Sequence, residues 1–556
     1  MHTHRKKPMQ IFKQLFMLLP VLLSGQGSGT YFPEDVQLKS AVIPPFTESE
    51  FVRADPEVRI TVDFSDTLSH VPALIYGNNA NVYMTQMVEN PDLIRHIRQL
   101  SPHILRYPGG NLSQMFFWDA ETGRLPSDVP EHLPWVIEGP QREKYRFGRN
   151  EDEETLSVDN YYRMLKMTGC QGLITVNYAY ARYGTGRDPA ARAAHYAADW
   201  VRYDSGRTKF WEIGNENFGE WQAGYIIDTL INADGQPEII SGELYGKHFR
   251  VFADSMRKAA RENGSEIAIG CVLVEADQDW RPVVQKYWNE GFFKVAGNAA
   301  DYYIVHSYFT PWQEDSPVST ILNSAAVEAA GIRQFIDQVC RENRVEPKPL
   351  TLTEWNIFAV GSKQQVSSVN GMQAVLVLGE LVKNKFALAC RWNLANGWAN
   401  GNDHGMFSQG GEPGVPRFYP RPVFHYITLF QRMFGDQMVN NSVSGSSEVA
   451  AYASLFHSGE SGIVLVNKKP GSLAVGLQLD HYQIGKRCYW YTLSGGDDNT
   501  PFSRKVIINE CGPDLPAGGP DLGKVKAFSS EIDGEIVLGL PGYGTLFILV
   551  EGKPES

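Results

Sequence analysis

The chain has 556 residues, 43% of them hydrophobic and 21% charged. That supports a large core and excludes a disordered chain, which combines low hydrophobicity with high net charge. The formal net charge of −12 also argues against a general nucleic-acid binder, because phosphate recognition draws on clustered Lys and Arg.

The first 28 residues read as an export signal. His4, Arg5, Lys6 and Lys7 are basic, Leu15 to Leu23 form an apolar run broken by Pro20, and small residues follow from Ser24 to Gly29. The run is too short for a bilayer span and its tail suits peptidase cleavage, the alternative being an uncleaved anchor. A secreted or periplasmic location is therefore expected. None of the six cysteines forms a CxxC pair, so no structural zinc site is signalled. Cys271 and Cys390 lie in apolar runs and read as buried thiols, whereas Cys488 and Cys511 are a candidate pair in an oxidising compartment.

Residues 29–70, with Pro33, Pro44 and Pro45, read as a linker or as a first strand belonging to a second domain. From residue 71 to 435, strand-like and helix-like patterns alternate. The expected strands are 73–78, 103–107, 172–178, 209–214, 266–274, 301–306, 349–354 and 386–392. Helical periodicity is clearest over 189–202, 243–262 and 324–342, and a last helix is expected near 421–434. Eight such units predict a (β/α)8 TIM barrel. The alternative is an open doubly wound sheet. It would carry a Gly-rich phosphate turn after the first strand, where Tyr76-Gly77-Asn78-Asn79-Ala80-Asn81 stands instead. A long second loop, 109–157, carries Phe116, Phe117, Trp118 and Trp135; long loops on rigid barrels shape binding sites. Residues 436–556 change to short strands and turns, which predicts a C-terminal all-β sandwich.

Barrel chemistry sits where strands end. Strand four ends in Trp211-Glu212-Ile213-Gly214-Asn215-Glu216 and strand seven in Thr353-Glu354-Trp355-Asn356. Closure brings these carboxylates to one face, and glycoside hydrolysis needs such a pair. Asn215 suits a hydrogen bond to a sugar 2-OH. Other strand ends offer Asn78 on strand one, Arg106 on strand two, Asn177 on strand three, His306 and Tyr308 on strand six, and Trp392 on strand eight as substrate contacts. Arg106 has two readings: partner of Glu354, or interior partner of Glu212, which shares its strand face with Glu216. His306 and Trp392 have structural readings as well, as a satisfied strand-end histidine and as rim packing. Asp403 and His404 lie just beyond strand eight.

Gly214-Asn215-Glu216 and Glu354-Trp355-Asn356 resemble the acid/base and nucleophile motifs of glycoside hydrolase clan A. Leu105-Arg106-Tyr107-Pro108-Gly109-Gly110-Asn111 and the stretch from Trp211 to Gln222 are similar to segments of family 51 α-L-arabinofuranosidases, as is a β-sandwich after the barrel. The resemblance implies a retaining enzyme with Glu216 as acid/base, its pKa raised, and Glu354 as ionised nucleophile, the carboxyl groups about 5–5.5 Å apart. It implies an oligo- or polysaccharide substrate, and nothing in the sequence signals a cofactor or a metal. Phe218-Gly219-Glu220 and the long second loop depart from the family 51 pattern, which keeps open an endo-acting or other exo-acting glycanase, for example one acting on agar-type glycans. A degenerate carbohydrate-binding barrel would lack one carboxylate, and both are present. HExxH, Walker A and GxSxG patterns are absent from the sequence, as are signs of a Schiff-base lysine or a His/Asp metal cluster.

Overall fold

The computed structural model describes residues 30–553 other than 36, 85, 134–144, 153–154, 278–280, 362, 399–402 and 497–501. The expected export signal and Trp135 lie outside the described residues.

Eight parallel strands close into a barrel. In chain order they are Gly77–Asn79, Ile104–Tyr107, Gln171–Val176, Phe210–Ile213, Ala268–Val272, Tyr302–Tyr308, Leu350–Asn356 and Leu388–Arg391, referred to below as strands one to eight. Seven coincide in outline with the sequence expectation. Strand one does not: Ala73–Tyr76 is a 3-10 turn with Leu74, Ile75 and Tyr76 buried, and the strand starts only at Gly77. A short apolar run has no period by which to separate strand from helix. Gly77 marks the switch because the barrel wall leaves no room for a side chain: a Cβ there would meet the Ala389 carbonyl oxygen at 2.3 Å.

A helix follows each strand, among them Pro189–Asp204, Gly242–Glu262, Val318–Asn343 and Pro422–Met433. The sixth begins at Val318, six residues before the expected start at 324. Short polar residues fix several starts. Asn90, Ser157, Asp188, Ser241 and Ser367 each accept a hydrogen bond from the backbone N–H three residues on, worth about 1 kcal/mol apiece. Helix seven, Ser368–Lys383, is buried at every position but its last. It is apolar on all sides because the barrel covers one face and the sandwich the other: Tyr452 of the sandwich donates to Glu380 Oε1 at 3.0 Å, and its ring lies against Gly379.

Among the described residues the sandwich contains eleven strands. Two come from the segment before the barrel. Phe46–Glu48 pairs with Ala527–Glu531. Val58–His70 lies between Gln437–Ser444, antiparallel, and Leu473–Asp480, parallel. Of the two readings of 29–70, the strand reading therefore holds for 46–48 and 58–70. A separate apolar core, including Val58, Ile60, Val62, Ile463, Leu465 and Ile548, fills the sandwich. Cys488 is buried there and Cys511 is exposed, both as free thiols, so the candidate disulfide is not formed. Among the described residues no helix is long and apolar enough to cross a membrane.

Candidate active site

Glu216 and Glu354 face each other across the barrel mouth. Their nearest carboxylate oxygens and a ring nitrogen of His306 all lie within 4.8 Å of one another. Glu216 follows strand four in a left-handed turn, with φ of 42°. That conformation costs an ordinary residue about 1–2 kcal/mol and is typical of functional positions. Its Oε2 accepts from Trp221 Nε1 at 2.7 Å and Gln222 Nε2 at 3.2 Å, and its Oε1 lies 3.0 Å from His306 Nδ1. Glu354 lies within strand seven. Tyr308 donates to its Oε1 at 2.5 Å and Arg106 Nη1 to its Oε2 at 3.2 Å.

Arg106 fills both roles read from the sequence. Fully buried, it reaches Glu212 Oε2 through Nε at 2.6 Å, Glu354 and Asn79 Oδ1 through Nη1, and Asn215 Oδ1 through Nη2 at 2.7 Å. One guanidinium therefore fixes strands one, two, four and seven relative to each other. Glu212 is held further by Thr175 Oγ1 at 2.7 Å.

Burial pushes Glu354 above the usual carboxylate range; the His306 charge opposes this and that of Glu216 adds to it. Burial also acts to raise Glu216, but the hydrogen bond and charge of His306, with Trp221 and Arg106, hold it below that range. This order is the reverse of the one expected for an acid at Glu216 and an ionised Glu354. It depends on the charge of His306. With a neutral imidazole donating Nε2–H to Thr353 Oγ1, 3.2 Å away, Nδ1 becomes an acceptor and favours the proton on Glu216. Tyr308 is pushed well above its ordinary pKa by burial and by Glu354, so it keeps its proton and donates. The triad of Glu216, His306 and Glu354 also has cation-site spacing, but the Arg106 guanidinium already occupies one Glu354 oxygen.

The remaining expected contacts divide. Asn215 is 1% exposed; Arg106 binds its oxygen, while its Nδ2 has no hydrogen-bond partner among the described residues. It is a donor left over for a ligand. Asn78 is buried with Oδ1 unpaired. Trp392 is 8% exposed and its ring covers the turn after strand two. A Cβ at Gly110, where φ is 66°, would lie 2.5 Å from the indole, so this turn needs glycine twice over. Asn177 does not stand free for substrate. Its Nδ2 donates to Tyr183 Oη at 2.9 Å and to the Phe116 carbonyl, and its Oδ1 accepts from the Tyr180 amide. It is short, and the turn it heads consumes its polar atoms. His306 is likewise committed, to Glu216 and Thr353.

Sequence reasoning assigned no role to Trp221 and Gln222, which hold Glu216 from five and six residues on, nor to Tyr83 and Gln114. Gln114 Nε2 donates to the Asn215 carbonyl at 2.9 Å. Asn79 Nδ2 donates to the Thr353 carbonyl at 3.0 Å. Tyr83 is partly buried and close enough to feel the Glu354 charge. The available signal was the pair Trp221-Gln222, two donors in the loop that follows a strand-end acid.

No protein-family model matches the chain. Among curated proteins it is 24% identical, over 306 residues, to an intracellular exo-α-(1→5)-L-arabinofuranosidase of Streptomyces lividans; the match covers 52% of this chain and 40% of that protein. A second enzyme of the same description, from Bifidobacterium longum, is 24% identical over 53% of this chain and 50% of its own. The chain thus spans half or less of the curated relatives it matches. In fold, it superposes on the thermostable family 51 α-L-arabinofuranosidase of Thermotoga petrophila with a TM-score of 0.62 and 18% identity, covering 89% of this chain and all of that one. It also superposes on a Paenibacillus polymyxa xyloglucanase of family 44 with a TM-score of 0.54 and 12% identity, over 89% of this chain and 99% of that one. In sequence and fold together, the chain resembles the clan A glycoside hydrolases, and within them family 51.

Proposed function

We propose that the protein is a retaining glycoside hydrolase of the α-L-arabinofuranosidase type. The observation that carries this reading is the facing pair Glu216 and Glu354, with carboxylate oxygens within 4.8 Å, the separation suited to a nucleophile rather than to an intervening water. In the first step a Glu354 oxygen attacks the anomeric carbon while Glu216 gives its proton to the departing glycosidic oxygen. A glycosyl ester on Glu354 and a free alcohol result. In the second, Glu216 takes a proton from water as that water attacks the same carbon, freeing Glu354. Tyr308 and Arg106 orient and stabilise the nucleophile. Trp221, Gln222 and His306 hold the acid, and Asn215 Nδ2 is the donor offered to the sugar 2-OH.

Release of sugar from a panel of aryl glycosides, α-L-arabinofuranoside first, tests this reading. Arabinose released by the wild type and lost in Glu354→Gln is the expected result. The first product should keep the substrate's anomeric configuration by NMR, and an inverted product overturns the mechanism. Because fold likeness extends to a xyloglucanase, xyloglucan and other glycans belong in the panel; release only from these replaces the sugar and keeps the chemistry. No release from any substrate by folded protein overturns the reading and leaves a glycan-binding barrel. We further infer from the basic start and apolar run of residues 1–28 that the protein is exported. Cell fractionation with N-terminal sequencing tests this, and full-length protein in the cytoplasm refutes it.

A further inference from the structure

After strand eight, residues 393–398 and 403–421 lie between the barrel mouth and the sandwich. One buried carboxylate ties the two sides together. Glu412, 1% exposed, accepts Arg421 Nε at 3.0 Å on Oε2 and Arg504 Nη2 at 2.8 Å on Oε1. Arg504 belongs to the sandwich, two residues before the strand Val506–Ile508. Its guanidinium also lies 5.0 Å over the ring of Trp398. Arg421 spends its remaining donors on backbone: the carbonyls of Asp403 and Gly405 at 3.1 Å each and of Gly397 at 2.9 Å. Between Asp403 and Gly405 stands His404. Its imidazole meets the Tyr308 ring edge-on, centroids 5.5 Å apart, and Tyr308 is sandwiched on its other contact by Phe358, stacked at 4.0 Å. Tyr308 holds Glu354 Oε1.

A continuous series of close contacts therefore runs from the sandwich to the carboxylate read as nucleophile. We infer that the C-terminal sandwich is a working part of the catalytic site and that Arg504 is the positioning residue through which it acts, by way of Glu412, Arg421 and His404 on Tyr308. The physical reason is directional. A buried carboxylate held by a different guanidinium at each oxygen is fixed in direction as well as distance, and Arg421 transmits that fix to three backbone carbonyls. Tyr308 has a single hydroxyl and must keep it within hydrogen-bonding reach of Glu354. The ring contacts of His404 and Phe358 are what set its tilt. Nucleophile placement is sensitive to displacements well under 1 Å.

The inference rests on the hydrolase reading for its kinetic consequence, and the test has one arm that does not. In the kinetic arm, Arg504→Ala, Tyr308→Phe and the double variant are compared on the best aryl glycoside. Arg504→Ala should lower kcat about tenfold with KM little changed, and should have no further effect once Tyr308 is Phe. Multiplicative losses in the double variant, or an unchanged kcat, overturn the inference, because a mere brace between domains would be independent of Tyr308. In the second arm, hydrogen exchange of the full chain is followed without substrate. Amides of 403–407 should exchange faster in Arg504→Ala and not in Arg487→Ala, a sandwich variant whose lost contacts, with Glu48, Glu531, Ser529 and the Phe46 ring, all lie within the sandwich sheet. Unchanged exchange at 403–407 overturns the inference even for a chain that hydrolyses nothing. Should Arg504→Ala not fold, Arg504→Gln carries both arms.

Discussion

At the barrel mouth, Asn78 Oδ1, Glu212 Oε1, Asn215 Nδ2 and Asn393 Oδ1 are buried with no hydrogen-bond partner among the described residues. In the sandwich strands the buried unpaired polar atoms are hydroxyls alone, those of Ser69, Ser461 and Thr545, and the buried amides of Asn467 and Asn509 are fully engaged. A buried amide or carboxylate oxygen left unpaired costs about 1–3 kcal/mol. Such a cost is retained where a ligand removes it. The two regions divide the work: the sandwich is built for stability, and the mouth holds polarity in reserve.

Substitutions at the two regions should therefore separate into losses of rate and losses of stability. The largest effect is expected from Glu216→Ala, which should lower kcat/KM about 10²- to 10⁴-fold for a glycoside with a poor leaving group and far less for a nitrophenyl glycoside, whose leaving oxygen needs no proton. Equal losses on both would refute an acid at Glu216. Next, Ile548→Ala in the sandwich core should cost about 2–5 kcal/mol of unfolding free energy by denaturant titration while leaving kcat intact. A large fall in kcat there would erase the division. Tyr308→Phe should lower kcat about tenfold. Losing that donor makes Glu354 harder to ionise, so the acid limb of the kcat/KM profile should move to higher pH; movement to lower pH would refute the role. The smallest effect concerns the seam between the regions. Burial holds His425, on helix eight against Gly519, at about 3, with the His96 charge adding to the shift. Below its ordinary value of 6.5 the unfolded chain takes up a proton that the folded chain refuses, so stability should fall by about 1 kcal/mol per pH unit. His425→Leu should flatten the fall in Tm between pH 6 and 4; an unchanged slope would show that other groups set it.

How much of this was legible in the sequence differs by scale. Strand order and the placing of Glu216 and Glu354 followed from local apolar runs and from the rule that barrel chemistry sits at strand ends. The detailed wiring did not follow, because it depends on side-chain length across the mouth. Arg106 reaches both Glu212 and Glu354 because a guanidinium presents several donors in different directions, so the two readings were never exclusive. Asn177, at an equivalent strand end, is short and is consumed by its own turn. The pairing of Val58–His70 was unreadable because its partners, at 437–444 and 473–480, lie at least 367 residues away (437 − 70). Proton order in the Glu216–Glu354 pair turned on His306, whose ring nitrogens face both Glu216 and Thr353.

That early strand has a consequence for how the protein is made. Val58–His70 leaves the ribosome before any of the barrel, yet its two neighbours are synthesised after all of it. The sandwich therefore cannot close until the whole barrel has emerged, and the first strand must wait unpaired through most of synthesis. Once joined, the two ends of the barrel are pinned to one sheet, so the barrel becomes a closed loop whose opening requires the sheet to come apart. Trimming residues 46–70 should therefore loosen both halves of the molecule at once, whereas an ordinary leader segment could be removed without either noticing.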